Sequence, residues 1–125
     1  SVLEHIPLKQ LPLLMAEMRR VLKPDGRMSH NIDFQDHLSH GLNSLRFSEA
    51  VWESPTMRNA GFYTNRVRAR TLHEMIRQAG FDLIVEDFGR WPELPLARRD
   101  LDPAFRDLTD DELSICTSHL LARPS

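Results

Sequence analysis

The sequence is poor in the residues that cross-link or anchor small proteins. It has one cysteine among 125 residues, Cys116, which excludes an internal disulfide and suits a reducing compartment. The apolar runs are too short to span a membrane, and the first residues lack the basic-then-apolar order of a secretory signal. We therefore expect a cytoplasmic protein that does not bind membranes.

Glycine and excess charge are also scarce. The five glycines are isolated from one another, so the sequence contains no glycine-rich phosphate loop. Sixteen basic and 18 acidic residues give a formal net charge of −2, which offers no electrostatic attraction for nucleic acid. With 41% hydrophobic and 27% charged residues, the chain is typical of one globular domain, residues 1–125.

The hydrophobic spacing predicts a mixed α/β order of elements. Apolar residues at three-four spacing predict a helix over Pro12–Leu22, with Pro12 in the first turn. A second helix is predicted from Thr71, which forms a capping box with Glu74, to the stop at Gly80. Strands are predicted over three segments, Arg27–Asp33, Phe81–Phe88 and Ile115–Ala122.

The remaining segments are irregular or form short helices. Residues 34–68 form an insert with loose spacing, in which Ser48 is a candidate cap for a helix within Ser44–Trp52. Short helical turns are predicted after Asp102 and Thr109. We interpret Cys116 as a small buried hydrophobic residue, and Trp52 as part of the core.

Four segments together resemble a class I S-adenosylmethionine-dependent methyltransferase. They are SVLEHIP at 1–7, RVLKPDG at 20–26, SHNIDFQDHL at 29–38 and GFYTNRVR at 61–68. The resemblance covers essentially the whole chain, which is similar to the second half of such a domain. Asp25 stands where the family commonly has glycine, a difference that affects only the turn.

The resemblance implies a truncated Rossmann-like fold. It implies a small mixed three-stranded sheet, with the last strand inserted antiparallel between the other two and helices packed against it in three layers. In the family the methyl donor lies in a glycine-rich loop of the first half, which has no counterpart in this sequence. The cofactor implied is S-adenosylmethionine, of whose site only one wall is retained, formed by Glu4, His5 and Ile6. The alternative is a helix-entry turn in which Glu4 favours the helix dipole.

The acceptor side is implied at Asp33, Asp36 and His37. A histidine with a pKa near neutral can take the proton that a methyl acceptor loses. We therefore predict His37 as the general base, with Asp36 as its orienting partner and Asp33 as a substrate-binding residue. The alternative is a solvated loop with an Asx turn. Asp33, His37 and His40, with His30 nearby, are metal-ligating residue types, but we expect no native metal.

A second polar cluster, Tyr63, Asn65 and Arg66, is implied to bind substrate. Arginine recognises carboxylate or phosphate with two parallel hydrogen bonds, so an anionic acceptor is conceivable. The alternative is structural: Arg66 or Arg68 forms a salt bridge to Asp33 or Asp36.

Two functions follow from the resemblance. The first is a fragment of a methyltransferase acting on a small molecule, in which this half supplies the acceptor side and is inactive alone. The second is a non-catalytic oligomerisation or binding module derived from that fold. In either case the strand at Arg27–Asp33 becomes a sheet edge, and unpaired edges recruit partners, so we expect a homo-oligomer formed through that edge.

Overall fold

Three β-strands form one antiparallel sheet in the computed structural model, which describes residues 2–125. The strands are β1 (Met28–Asp33), β2 (Phe81–Arg90) and β3 (Ile115–Pro124). Their order is β1-β3-β2, with β3 antiparallel to both neighbours. The expected central position and direction of the last strand are confirmed. Because both neighbouring pairs are antiparallel, the sheet is wholly antiparallel rather than mixed.

The first helix, α1 (Leu11–Val21), lies one residue earlier than predicted. Pro12 lies in its first turn, where the missing N–H costs no hydrogen bond. A 3-10 turn at Leu3–His5 and another at Leu8–Gln10 precede it. Leu11 and Met15 are the buried residues of α1, so the apolar spacing identified the face that packs on the sheet.

The insert contains two four-residue helices, α2 (Glu49–Trp52) and α3 (Pro55–Arg58). The Ser48 hydroxyl accepts a hydrogen bond from the Val51 N–H, so the predicted cap is confirmed. The segment before it is a 3-10 turn, Asn43–Arg46, instead of a continuous helix. Trp52 is buried, as predicted, and its indole N–H donates to the Thr64 carbonyl at 2.6 Å.

The next helix, α4 (Ala69–Gln78), begins two residues before the predicted capping box. Arg68 is its N-cap and makes no side-chain capping bond, so the box at Thr71 and Glu74 is wrong. The helix begins early because the chain is still extended at Arg68 and turns helical at Ala69. Gly80 ends the helix, as predicted, with a φ of 103° that favours glycine.

The last helix, α5 (Asp110–Ser114), leads directly into β3. The Thr109 hydroxyl accepts from the Glu112 N–H, and the Asp102 carboxylate caps a 3-10 turn at Pro103–Phe105. Both predicted turns are therefore confirmed. Cys116, in β3, is half-buried and not fully buried as expected.

The helices α1 and α4 pack on the same face of the sheet. Residues from both helices join strand residues in one core cluster, whose large members include Leu11, Met15, Ile32, Leu72, Ile76, Phe81 and Leu120. On the opposite face Ser29, Thr117 and Arg123 are exposed. The sheet and its helices thus form two layers, and the expected third layer is wrong.

A second, smaller cluster joins the insert to the segment before β3 through Leu42, Leu45, Leu96, Leu101 and Leu113.

One buried polar network connects α4 to the sheet. His73 is fully buried, its Nδ1 lies 2.7 Å from Glu86 Oε2, and its Nε2 lies 2.9 Å from Ser118 Oγ. Arg77 donates to the same Glu86 oxygen at 3.0 Å. Burial raises the pKa of Glu86, but the hydrogen bonds from His73 and Arg77 outweigh it and hold that pKa below its usual value.

No helix within residues 2–125 combines the length and apolar character needed to cross a bilayer.

Candidate functional site

The predicted site residues meet where β1 ends. Asp33 is the last residue of β1, and the turn at Leu3–His5 and the irregular segment 64–68 lie beside it. Asn65 connects the last two of these elements. Its side-chain amide donates to the carbonyls of Leu3 and Ile6 at 2.8 and 2.7 Å, and its backbone N–H donates to the Glu4 carbonyl at 2.8 Å. The predicted cofactor-side and substrate-side residues are therefore neighbours, held together by the Asn65 amide.

Glu4 is buried and only partly satisfied. It is 4% exposed, and its Oε2 is a buried atom without a hydrogen-bond partner in the part of the chain described, 2–125. Glu4 lines a cavity of about 10 Å³ that Asp33, Asn65 and Arg68 also line. A space of this size is sufficient for about one water molecule. Glu4, His5 and Ile6 by themselves do not enclose the volume of a nucleoside.

Arg68 is the second buried charge at this cavity. Its Nε donates to the Arg66 carbonyl at 3.1 Å, and its Nη1 is buried and unpartnered within residues 2–125. Burial lowers the pKa of Arg68 to about 10. The carbonyl is a neutral acceptor, so it does not neutralise the guanidinium.

The proposed salt bridges of the insert are not formed. Among the ion pairs of residues 2–125, none joins Arg66 or Arg68 to Asp33 or Asp36. Arg66 instead donates to the carbonyls of Ser44 and Phe47. This structural alternative is therefore wrong.

Asp36 closes the loop after β1 instead of orienting His37. Its carboxylate accepts from the backbone N–H groups of Leu38, Ser39 and Asn43, two of these bonds at 3.0 and 2.7 Å. The side chain is 2% exposed, and no hydrogen bond to His37 is formed in the described residues. Burial raises the pKa of Asp36, but hydrogen bonds from the loop amides outweigh it and lower that pKa below its usual value. The predicted Asp36–His37 pair is wrong because the loop amides already occupy the carboxylate.

His37 lies beside His5. The two ring centroids are 5.0 Å apart and the rings are tilted by 48°. His5 in turn lies between two acceptors, with its Nδ1 3.3 Å from the Tyr63 carbonyl and its Nε2 3.7 Å from Glu4 Oε1. His37 is exposed, so its ring remains accessible to a ligand. Asp33, in contrast, accepts from the Gln35 N–H at 2.9 Å, which is the Asx turn considered as the alternative.

Tyr63 is hydrogen-bonded to Glu53, a carboxylate that was not predicted from the sequence. Its hydroxyl donates to Glu53 Oε1 at 3.0 Å, and burial together with Glu53 raises the pKa of Tyr63. His5, Glu53, Arg58 and Tyr63 line a cavity of about 310 Å³. Glu53 lies in a part of the insert without a clear pattern, so only the contact with Tyr63 identifies it.

The His73, Glu86 and Ser118 network was also missed. Its connectivity, hydroxyl to imidazole to carboxylate, is that of a nucleophilic triad. Because His73 and the Ser118 hydroxyl are buried in the layer between α4 and the sheet, we interpret the network as structural.

No group of three or more metal-ligating residue types in the described chain is arranged to hold a metal ion. Comparison with family models, curated proteins and solved structures finds no match to this chain.

Proposed function

We propose that the chain supplies the acceptor side of a class I S-adenosylmethionine-dependent methyltransferase that acts on a small molecule. The observation that carries the proposal is the sheet order β1-β3-β2, with the last strand antiparallel in the centre, which the sequence resemblance implied. The polar residues predicted for the acceptor side also cluster together, beyond the carboxyl end of β1. A cavity of about 310 Å³ beside His5 and Tyr63 has the size of small-molecule sites.

In this proposal His37 is the general base. An acceptor hydroxyl or amine becomes more nucleophilic as its proton passes to the exposed imidazole. His5 lies against the ring of His37 and is itself held by the Tyr63 carbonyl. The Tyr63–Glu53 pair provides a hydroxyl and a carboxylate to position the acceptor.

The donor side is incomplete in this proposal. Glu4, His5 and Ile6 contribute one wall, and the adjacent cavity of about 10 Å³ does not fit S-adenosylmethionine. We therefore propose that the chain alone is inactive.

A second candidate is a non-catalytic module that forms a homo-oligomer. The supporting observation is that β1 is an edge of the sheet, and that α1 has two exposed apolar residues, Leu13 and Val21. Exposed strand edges and apolar residues favour association between copies. Size-exclusion chromatography with light scattering tests this candidate, and a monomer at high concentration contradicts it.

Calorimetry and methyl transfer test the first proposal. We expect no heat of binding when S-adenosylhomocysteine is titrated into this chain, and micromolar affinity would contradict the view of an incomplete donor site. A polypeptide in which a donor-binding half is joined to this chain is expected to bind donor. In it, His37→Gln lowers kcat by about 100-fold and leaves donor affinity unchanged. His40→Gln, three residues away, is the matched control. Equal activity of the two variants would remove His37 from the mechanism.

A further inference from the structure

A second cavity, of about 340 Å³, lies on the insert side of segment 65–68. Four charged residues line it: Glu49 at the start of α2, Glu53, Arg66 and Arg68. Its apolar lining comes from Leu8, Val67, Ala104, Phe105 and Leu108. Because apolar walls with a few polar groups are typical of small-molecule sites, the cavity is a candidate ligand pocket.

Arg66 is a buried cation with unused donors. It is 9% exposed, and its Nη1 donates to the carbonyls of Ser44 and Phe47 at 3.1 and 2.7 Å. Its Nε and Nη2 make no hydrogen bond, and Arg66 forms no ion pair, within residues 2–125. Neither nitrogen is among the fully enclosed unpartnered atoms, so both keep contact with solvent in the cavity.

The position of the Arg66 side chain is strongly fixed. The guanidinium carbon lies 5.3 Å from the ring centroid of Trp52 and 4.9 Å from that of Phe105. The backbone of Arg66 has a φ of 62°, a left-handed conformation that is uncommon for residues other than glycine. Two aromatic rings and two carbonyls therefore hold the guanidinium in one place before any ligand binds.

The unused donors fit a carboxylate. Nε and Nη2 lie along one edge of the planar guanidinium group. From that edge they can donate two parallel hydrogen bonds to a planar carboxylate. Burial lowers the pKa of Arg66, which is the effect of removing the charge from water without a contacting counter-ion. A bound carboxylate supplies that counter-ion.

Glu49 adds a second requirement. It is exposed and lines the same cavity, and its carboxylate makes no hydrogen bond or ion pair with any residue from 2 to 125. Together with Glu53 it places two carboxylates near Arg66, which disfavours a phosphate dianion and favours a ligand that also carries a positive charge.

We propose that this cavity binds a small zwitterion with an apolar side chain, such as an α-amino acid of the size of leucine. The carboxylate binds Arg66, the ammonium group binds Glu49, and the apolar side chain packs against Phe105 and Leu108. This binding is independent of the proposed function above, which places the methyl acceptor in the other cavity, beside His5 and Tyr63.

Calorimetric titration of the chain without methyl donor tests the proposal. The probes are L-leucine, 4-methylpentanoate, which lacks the ammonium group, and isopentylamine, which lacks the carboxylate. We expect leucine to bind, and each analogue to bind at least about tenfold more weakly, since each leaves one charged group of the site unpaired. Absence of leucine binding at millimolar concentration, or equal affinity for isopentylamine, would overturn the proposal.

Two variants separate the roles of the charged residues. Glu49→Gln is expected to weaken leucine about tenfold and to leave 4-methylpentanoate unchanged, whereas the exposed Glu93→Gln is the control and changes neither. Arg66→Lys keeps the charge but loses the two-bond geometry, so it weakens leucine and 4-methylpentanoate together. Indistinguishable leucine affinities of Glu49→Gln and Glu93→Gln would overturn the ammonium assignment. These titrations contain no methyl donor. A negative result would therefore contradict the zwitterion proposal only, and the methyltransferase proposal is tested separately by the experiments above.

Discussion

Two groups of buried polar side chains in this molecule differ in how their hydrogen bonds are satisfied. Under α4, both ring nitrogens of His73 have partners, Glu86 and Ser118. At the end of β1, Glu4 Oε2 and Arg68 Nη1 are buried without partners within residues 2–125. A satisfied network stabilises a fold, whereas an unsatisfied polar group has another purpose or holds a water molecule. The difference distinguishes the network under α4 from the two charges at the end of β1, where a ligand is expected.

The largest expected effect comes from breaking the satisfied network. His73→Ala removes the partner of the Ser118 hydroxyl and one of the two partners of Glu86, and it creates a cavity, so we expect a loss of about 3 kcal/mol in unfolding free energy. Urea unfolding followed by circular dichroism measures it. Ser118→Ala, which removes one bond of the same network, is the comparison and costs about 1 kcal/mol. A loss below 1 kcal/mol for His73→Ala would mean that the network does not stabilise the fold.

A smaller loss is expected from Asp36, the satisfied carboxylate on the ligand side. Asp36→Asn removes a charge that accepts three backbone N–H groups, and we expect a loss of about 2 kcal/mol at pH 7. Asp107→Asn, at an exposed position, is the control. A comparable loss for the two variants would contradict the role of Asp36 in closing the loop.

The same variant has a defined pH dependence. The folded-state pKa of Asp36 is lowered, so its stabilisation is complete above the ordinary pKa of about 4 and is lost as the pH falls through the lower folded-state value. The deficit of Asp36→Asn should therefore shrink as unfolding is measured from pH 7 towards pH 3. A deficit that stays constant over this range would show that the charge is not responsible.

The smallest effect is expected at the unsatisfied group. Arg68→Met replaces a buried guanidinium with an apolar chain of similar length, and we expect a change within about 1 kcal/mol in either direction. The reason is that the desolvated charge has one neutral acceptor to offset its burial. Thermal unfolding of Arg68→Met and His73→Ala, measured side by side, tests this contrast. A loss of stability for Arg68→Met as large as that for His73→Ala would contradict the distinction between the two groups.

The sequence predicted the elements whose signals are local. The stripe of α1, the stop at Gly80 and the caps at Ser48 and Thr109 all depend on neighbouring residues, and the structure confirms each of them. The capping box at Thr71 was also a local signal, but the extended backbone at Arg68 already turns into helix at Ala69. The central position of β3 came from the resemblance, since alternation alone does not order strands.

The site was less predictable because its contacts join distant residues. His5 and His37 were assigned to different sides of the site, and their contact spans 32 positions of sequence that no spacing rule connects. Asp36 was assigned to His37 because they are adjacent, while its actual partners include the amide of Asn43, seven residues away. Residue types thus identified the polar cluster, and their pairing required the fold.

The amide of Asn65 has a consequence for how the two cavities communicate. The Asn65 amide is hydrogen-bonded to the turn that contains Glu4 and His5. The next residue, Arg66, places its guanidinium in the larger cavity. A displacement of Arg66 is therefore expected to shift Asn65 and the turn that carries His5. Ligand binding in the Arg66 cavity should therefore shift the NMR resonances of the His5 ring in the other cavity, although the ligand does not contact that ring.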